Sequence, residues 1–120
     1  KRIERSGGDA MAKYERTLTG DFQEVLSFLE RTIQASGGFL HFVDGTDCDL
    51  GNTRIAVRVY DRYYMRNNSR ASLTLTIVGC GNTVTVSAIG AGGGTGMLFH
   101  LDWGTEEDIV QIVKQSLERF

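Results

Sequence analysis

Arginine and tyrosine alternate along one stretch of this chain. Arg54, Arg58, Tyr60, Arg62, Tyr64 and Arg66 stand an even number of residues apart, and in an extended strand such residues share one face. A guanidinium grips phosphate or carboxylate through parallel N–H donors, and a tyrosine ring offers a plane on which a base can stack. The stripe is therefore the first candidate for an anionic or nucleic-acid ligand. Self-compensation competes with that reading. If Gly51-Asn52 forms a two-residue turn, Asp49 lies opposite Arg54 and Asp47 lies diagonal to both Arg54 and Arg58, which neutralises half the stripe across the strand pair. The formal net charge of −2 favours a solvated, self-paired face over nucleic-acid binding.

The same register sets Asp44 and Asp61 diagonally across from each other, on the face that carries Ile55, Val57 and Val59. Two carboxylates beneath a helix would repel, and one would keep its proton, giving an acid and a base side by side. They are the weak catalytic candidates. Gly45 beside Asp44 is a natural bulge position, and an extra residue there turns Asp44 outward; this reading is favoured because unpaired buried acids are rare. The glycine-rich stretch at residues 90–96, centred on Gly92, Gly93 and Gly94, could cradle a phosphate with backbone N–H groups. It matches neither the dinucleotide fingerprint nor the Lys-Ser/Thr phosphate loop, and it precedes an expected strand rather than a helix. A mobile hairpin or lid is expected there. His41, His100 and Asp102 lack a further ligand at metal spacing, and no serine or cysteine sits in a nucleophile pattern, so neither a metal nor another cofactor is expected. Cys48 is expected in the core and Cys80 in a turn.

Two amphipathic helices bracket the strands that would position these groups. Residues 21–36 place Phe22, Val25, Leu26, Leu29 and Ile33 on one helical face, with Asp21 as N-cap, Glu24 at capping-box spacing and Gly37-Gly38 as the stop. Residues 106–120 do the same with Ile109, Ile112, Val113, Leu117 and Phe120, behind Thr105 as cap and Trp103 as staple. Strands are expected at residues 14–18, 39–50, 53–66, 71–78 and 83–89, with a sixth at 97–101. Matching Ile55, Val57 and Val59 to the face of Leu73, Leu75 and Ile77 requires an odd-numbered loop, while matching Ile77 to Val84 requires an even one, Cys80-Gly81. The expected fold class is α+β: an antiparallel sheet of five to six strands with two helices on its apolar face, in the order β-α-β-β-β-β-(β)-α.

A chain of 120 residues with 41% apolar content fits one domain that needs no staple. Two cysteines and no long apolar run point to a reducing cytoplasm and away from a membrane. Residues 1–10 are charged, aperiodic and followed by Met11, and two readings of them stand. Gly7-Gly8-Asp9 is what a ribosome-binding sequence reads as when translated, which would put the true start at Met11; alternatively the stretch is a disordered tail. The mass of protein made from the native gene separates the two.

The element order resembles TATA-binding-protein-like and helix-grip folds. At residue level, Tyr14-Glu15-Arg16-Thr17-Leu18-Thr19-Gly20-Asp21-Phe22, together with Gly51-Asn52-Thr53-Arg54 and Ala56-Val57-Arg58-Val59-Tyr60, resembles a family of short uncharacterised bacterial proteins, catalogued as a domain of unknown function and common in Clostridia-like genomes. The resemblance spans nearly all of residues 11–120 and implies a single bacterial cytosolic domain, with no catalytic residues to carry over. The sequence thus favours a small non-catalytic binding or protein-interaction module, in a homodimer or with a small-molecule or protein partner. The alternative is an enzyme that uses Asp44 and Asp61 in a helix-grip-type cavity.

Overall fold

Helix α1 (Phe22–Ala35) starts because Asp21 caps it: the Glu24 amide donates to Asp21 Oδ2 at 3.0 Å, satisfying one of the donors that every helix start leaves open. The computed structural model describes residues 11–35, 40–64, 69–94 and 104–120. Around α1 run β1 (Met11–Thr19), β2 (His41–Leu50), β3 (Thr53–Tyr64), β4 (Ser69–Cys80) and β5 (Thr83–Gly94), and α2 (Gly104–Glu118) closes the chain. The strands form one antiparallel sheet in the order β1-β5-β4-β3-β2, so β1 and β2 are its edges. The expected α+β class and element order hold. Helix α2 begins at Gly104, which puts Thr105 inside it rather than at its cap. The expected sixth strand at 97–101, the Gly37-Gly38 stop, Trp103, His100 and Asp102 lie outside the described residues.

Both helices cover the same face. Val25, Leu29 and Ile33 of α1 and Ile109, Val113 and Leu117 of α2 are buried against Leu73, Leu75 and Ile77 of β4 and Val84, Val86 and Ala88 of β5. Each fully buried aliphatic side chain contributes about 1.5–3 kcal/mol. Phe28 and Phe120 join the helices at 5.0 Å between ring centroids, and Arg16 on β1 donates to the Leu117 carbonyl at 3.2 Å, closing the end of α2.

The turns show where the pattern speaks and where it misleads. Leu50 pairs with Thr53 around Gly51-Asn52, with Gly51 at φ 62°, the left-handed conformation glycine adopts without a Cβ clash. Cys80 pairs with Thr83, so the expected even loop is Gly81-Asn82, one residue further on than Cys80-Gly81, with Gly81 at φ 63°. The β3–β4 connection departs from expectation. Tyr64 pairs with Ser69, leaving four residues between the strands rather than an odd number. That parity turns Ala56, Arg58 and Tyr60 toward the helices, opposite Ile77, Leu75 and Leu73, and turns Ile55, Val57 and Val59 away from them.

Residues 90–94 of the glycine-rich stretch are strand, not lid, and residues 95 and 96 lie outside the described ones. Gly90 pairs with both Ala12 and Leu73, and Gly92, Gly93 and Gly94 pair with Ala71, Arg70 and Ser69. Ladder bonds from neighbouring strands override the weak strand preference of glycine.

Candidate functional site

Arg58 organises the side of the sheet that the aliphatic core does not reach. It sits mid-strand on the helix-facing side of β3 and its side chain is only 13% exposed. Nε donates to Glu30 Oε2 of α1 at 2.7 Å, while Nη1 reaches Asp47 Oδ1 of β2 at 2.9 Å and the carbonyls of Thr46 and Val57 at 3.2 and 3.0 Å. Burial works against the cation, but the hydrogen bonds to Glu30 and Asp47 outweigh it and raise the Arg58 pKa above its ordinary value. The guanidinium stays charged and ties α1 to both strands of the β2–β3 hairpin.

Gly45 makes this possible. It pairs with Arg58, and a Cβ placed there would lie 2.6 Å from the Val57 carbonyl oxygen and 2.9 Å from Arg58 Cδ. Only glycine lets the arginine side chain cross β2. Sequence reasoning expected Asp47 to meet Arg58 and Asp49 to meet Arg54; both pairs form, the second at 3.5 Å. It missed Glu30, although a mid-strand glycine opposite an arginine was a signal that something must pass there.

The stripe is divided by this geometry. Arg54, Arg58, Tyr60 and Arg62 fall on the helix-facing side, not on the uncovered polar face the sequence assigned to them. The guanidinium of Arg54 lies 4.6 Å over the Phe22 ring. Tyr60 is 3% exposed and meets Phe42 edge-on at 5.7 Å. Its burial, reinforced by the Glu30 charge and opposed by that of Arg58, pushes the phenol above its ordinary pKa. Tyr64 ends β3, and Arg66 lies outside the described residues. Two shallow grooves flank Arg58: one of about 280 Å³ bounded by Phe22, Gln23, Asp47 and Asp49, and one of about 390 Å³ bounded by Arg31, Gln34, Phe42 and Tyr60. Arg58 takes part in both walls with Nε and Nη1 engaged by Glu30, Asp47 and two carbonyls, so it acts as a brace between α1 and the hairpin.

The candidate acids belong to the opposite face. Asp44 pairs with Val59 in the unbroken register that runs from the Gly51-Asn52 turn, and a bulge between Phe42 and Asp44 then sets His41 opposite Asp61. The extra residue is Val43, two residues before Gly45, so it leaves Asp44 on the face of Ile55, Val57 and Val59. Asp44 is exposed, Asp61 half-buried, and both lie on the side without helices, so no helix-roofed cavity joins them. Cys48 is exposed and not in the core, because it shares that uncovered side with Ile55. Among the described residues no group of three or more His, Cys, Asp or Glu is placed to hold a metal ion, and no helix is long and apolar enough to cross a membrane.

What the uncovered face does carry is an apolar and hydroxyl field. Across β5, β4 and β3 the rows read Ile89–Thr74–Val59, Ser87–Thr76–Val57 and Thr85–Val78–Ile55. All are half-buried and none is charged. Among the described residues, the charges of this face stand around them: Lys13 and Glu15 on β1, Asp44 and Asp61 toward β2, and Arg70 over the Tyr63 ring at one end.

A family model described as a family of unknown function (DUF6054) matches residues 11–120. The chain belongs to that family. No curated relative matches this DUF6054 chain in sequence. Solved structures do match it in the course of the chain. A protein from Thermus thermophilus is 11% identical with a TM-score of 0.39, over 91% of this chain and 94% of that one. An uncharacterised protein from Bacillus thuringiensis is 13% identical with a TM-score of 0.42, over 91% and 96%. The Zhui aromatase/cyclase from Streptomyces is 8% identical with a TM-score of 0.31, over 91% and 95%. Identities this low carry no residue role into the DUF6054 chain.

Proposed function

We propose that this DUF6054 chain is a non-catalytic protein-interaction module that docks through the uncovered face of its sheet. One observation carries the reading: β3 turns Ile55, Val57 and Val59 away from the helices and into line with Val78 and Ile89. A strand that serves only its own core puts its branched aliphatic residues inside. Here they sit in an uncharged field with a charged rim, the layout of a protein–protein contact whose centre is depleted of charge. The enzyme alternative loses its support, since Asp44 and Asp61 share this open face rather than a cavity. Two exposed free cysteines, Cys48 and Cys80, fit action in a reducing bacterial cytoplasm.

Photo-crosslinking in the source organism tests the reading. A benzophenone side chain at Val57 is expected to form a covalent adduct with protein, whereas the same probe at the exposed Gln23 of α1 forms none. Absence of an adduct at Val57, or equal adducts at both positions, contradicts it.

A further inference from the structure

We infer that the occupant of this face is a second copy of the chain, packed sheet on sheet about a twofold axis parallel to the strands, with Lys13 of each copy meeting Asp44 of the other. This rests on the interaction reading above and names its partner.

Size is the first argument. Five strands about 4.8 Å apart, over the roughly 30 Å along which β1 is paired, make a face of roughly 700 Å² before side-chain relief. Standard interfaces bury about 800 Å² per partner. The face is thus large enough for a stable dimer and is uncharged where two copies would meet at the axis, so like faces like without repulsion.

Charge placement selects the axis. Following the ladder across the sheet, Lys13 pairs with Ile89, Ile89 with Thr74, Thr74 with Val59 and Val59 with Asp44. One row therefore runs from a cation at the β1 edge to an anion at the β2 edge, with three uncharged residues between. A twofold axis along the strands lays the β1 edge of one copy over the β2 edge of the other and keeps each row over itself. Lys13 then faces the second copy's Asp44 at both ends of the row, and a lysine stem spans most of the about 10 Å between packed sheets. The next row ends in Glu15 and Thr46, so Glu15 faces a hydroxyl rather than an acid. The other twofold in the same plane, across the strands and centred on the Val57 row, lays β2 over β2 and turns Lys13 toward Thr17; it forms no such pair. Lys13 already lies 3.6 Å from Glu15 within its own chain, which holds it at the rim without using all its donors.

Sedimentation velocity on the full chain, up to about 100 µM and well above the Kd expected of a self-complementary face this size, provides the test. The wild type is expected to be a dimer. Val57→Lys, which buries two unpaired cations at the centre, should raise Kd at least about 100-fold. Lys13→Glu and Asp44→Lys, on exposed side chains that cost the fold little, should each raise it about tenfold because the symmetry counts every change twice. The Lys13→Glu/Asp44→Lys double variant should return to within about threefold of wild type. A monomeric wild type overturns self-pairing; together with a Val57 adduct to a different protein it leaves the interaction reading standing, and without any adduct both fall. A dimer insensitive to Val57→Lys lies elsewhere on the surface and overturns self-pairing through this face; with a Val57 adduct to a different protein the interaction reading stands, and without one it falls too. A dimer broken by Val57→Lys but not rescued by the charge swap overturns this twofold alone.

Discussion

β4 and β3 are neighbours in one sheet, yet they meet the helix layer with opposite chemistry. β4 turns Leu73, Leu75 and Ile77 inward and Thr74, Thr76 and Val78 outward. β3 turns Ala56, Arg58 and Tyr60 inward and Ile55, Val57 and Val59 outward. The difference follows from what lies above each strand. Two helices roof β4 and leave no water, so only aliphatic side chains fit. At β3 the roof thins to one side of α1, the edge strand β2 beyond it is exposed along its whole length, and an ion-paired arginine can keep partial hydration while it reaches both neighbours. Aliphatic burial holds one half of the sheet and a charged brace holds the other, which frees the branched residues of β3 for the open face.

The largest effect should come from the aliphatic half. Leu75→Ala removes a fully buried side chain between both helices and should destabilise the protein by about 3 kcal/mol, read from urea unfolding at low protein concentration. The brace should yield less. Arg58→Met keeps the stem but deletes bonds to Glu30 and Asp47, whose side chains are 39% and 66% exposed, so water recovers part of the loss and about 2 kcal/mol is expected. Hydrogen exchange should quicken in β2 and β3 and stay slow in β4 and β5. Uniform quickening would mean that the two halves are not held separately.

Tyr60 gives a smaller, pH-dependent effect. Its folded-state pKa is raised above the unfolded value, so the neutral phenol is favoured in the native protein. That contribution is complete below the ordinary tyrosine pKa of about 10 and declines as pH rises from there through the folded pKa. Wild type should therefore lose stability more steeply than Tyr60→Phe between about pH 9 and 11, followed by thermal unfolding. Parallel curves would contradict the direction of the shift. Smallest of all, Val57→Thr should change monomer stability by less than about 0.5 kcal/mol, while still weakening self-association because its hydroxyl loses water at the contact.

Much of the fold was legible because local signals agreed with one another. The helical stripes, the Asp21 cap, the Gly51-Asn52 turn and the Asp47–Arg58 and Asp49–Arg54 pairs each follow from spacing alone, and the family fits the stretches that pointed to it. The face of β3 was not legible, because alternation says which residues share a side but not which side is roofed. Choosing the more aliphatic set as the inner one gave the wrong loop parity at residues 65–68, and with it the wrong side for the arginines, the two acids and Cys48. The register still placed Gly45 against Arg58, the one cue that the arginine crosses over β2 toward the helix layer. The glycine run was misread for a similar reason: its local preference is for a loop, and only partners distant in sequence, β1 and β4, make it a strand.

Intermolecular contacts between methyl groups test the central claim most directly. In a mixed sample, one copy carries labelled Ile, Leu and Val methyls and the other is unlabelled. The account predicts intermolecular NOEs at Ile55, Val57, Val59, Val78 and Ile89, and none at Leu29, Leu75 or Val113 in the core. Intermolecular NOEs confined to other residues, or none at all, would contradict it.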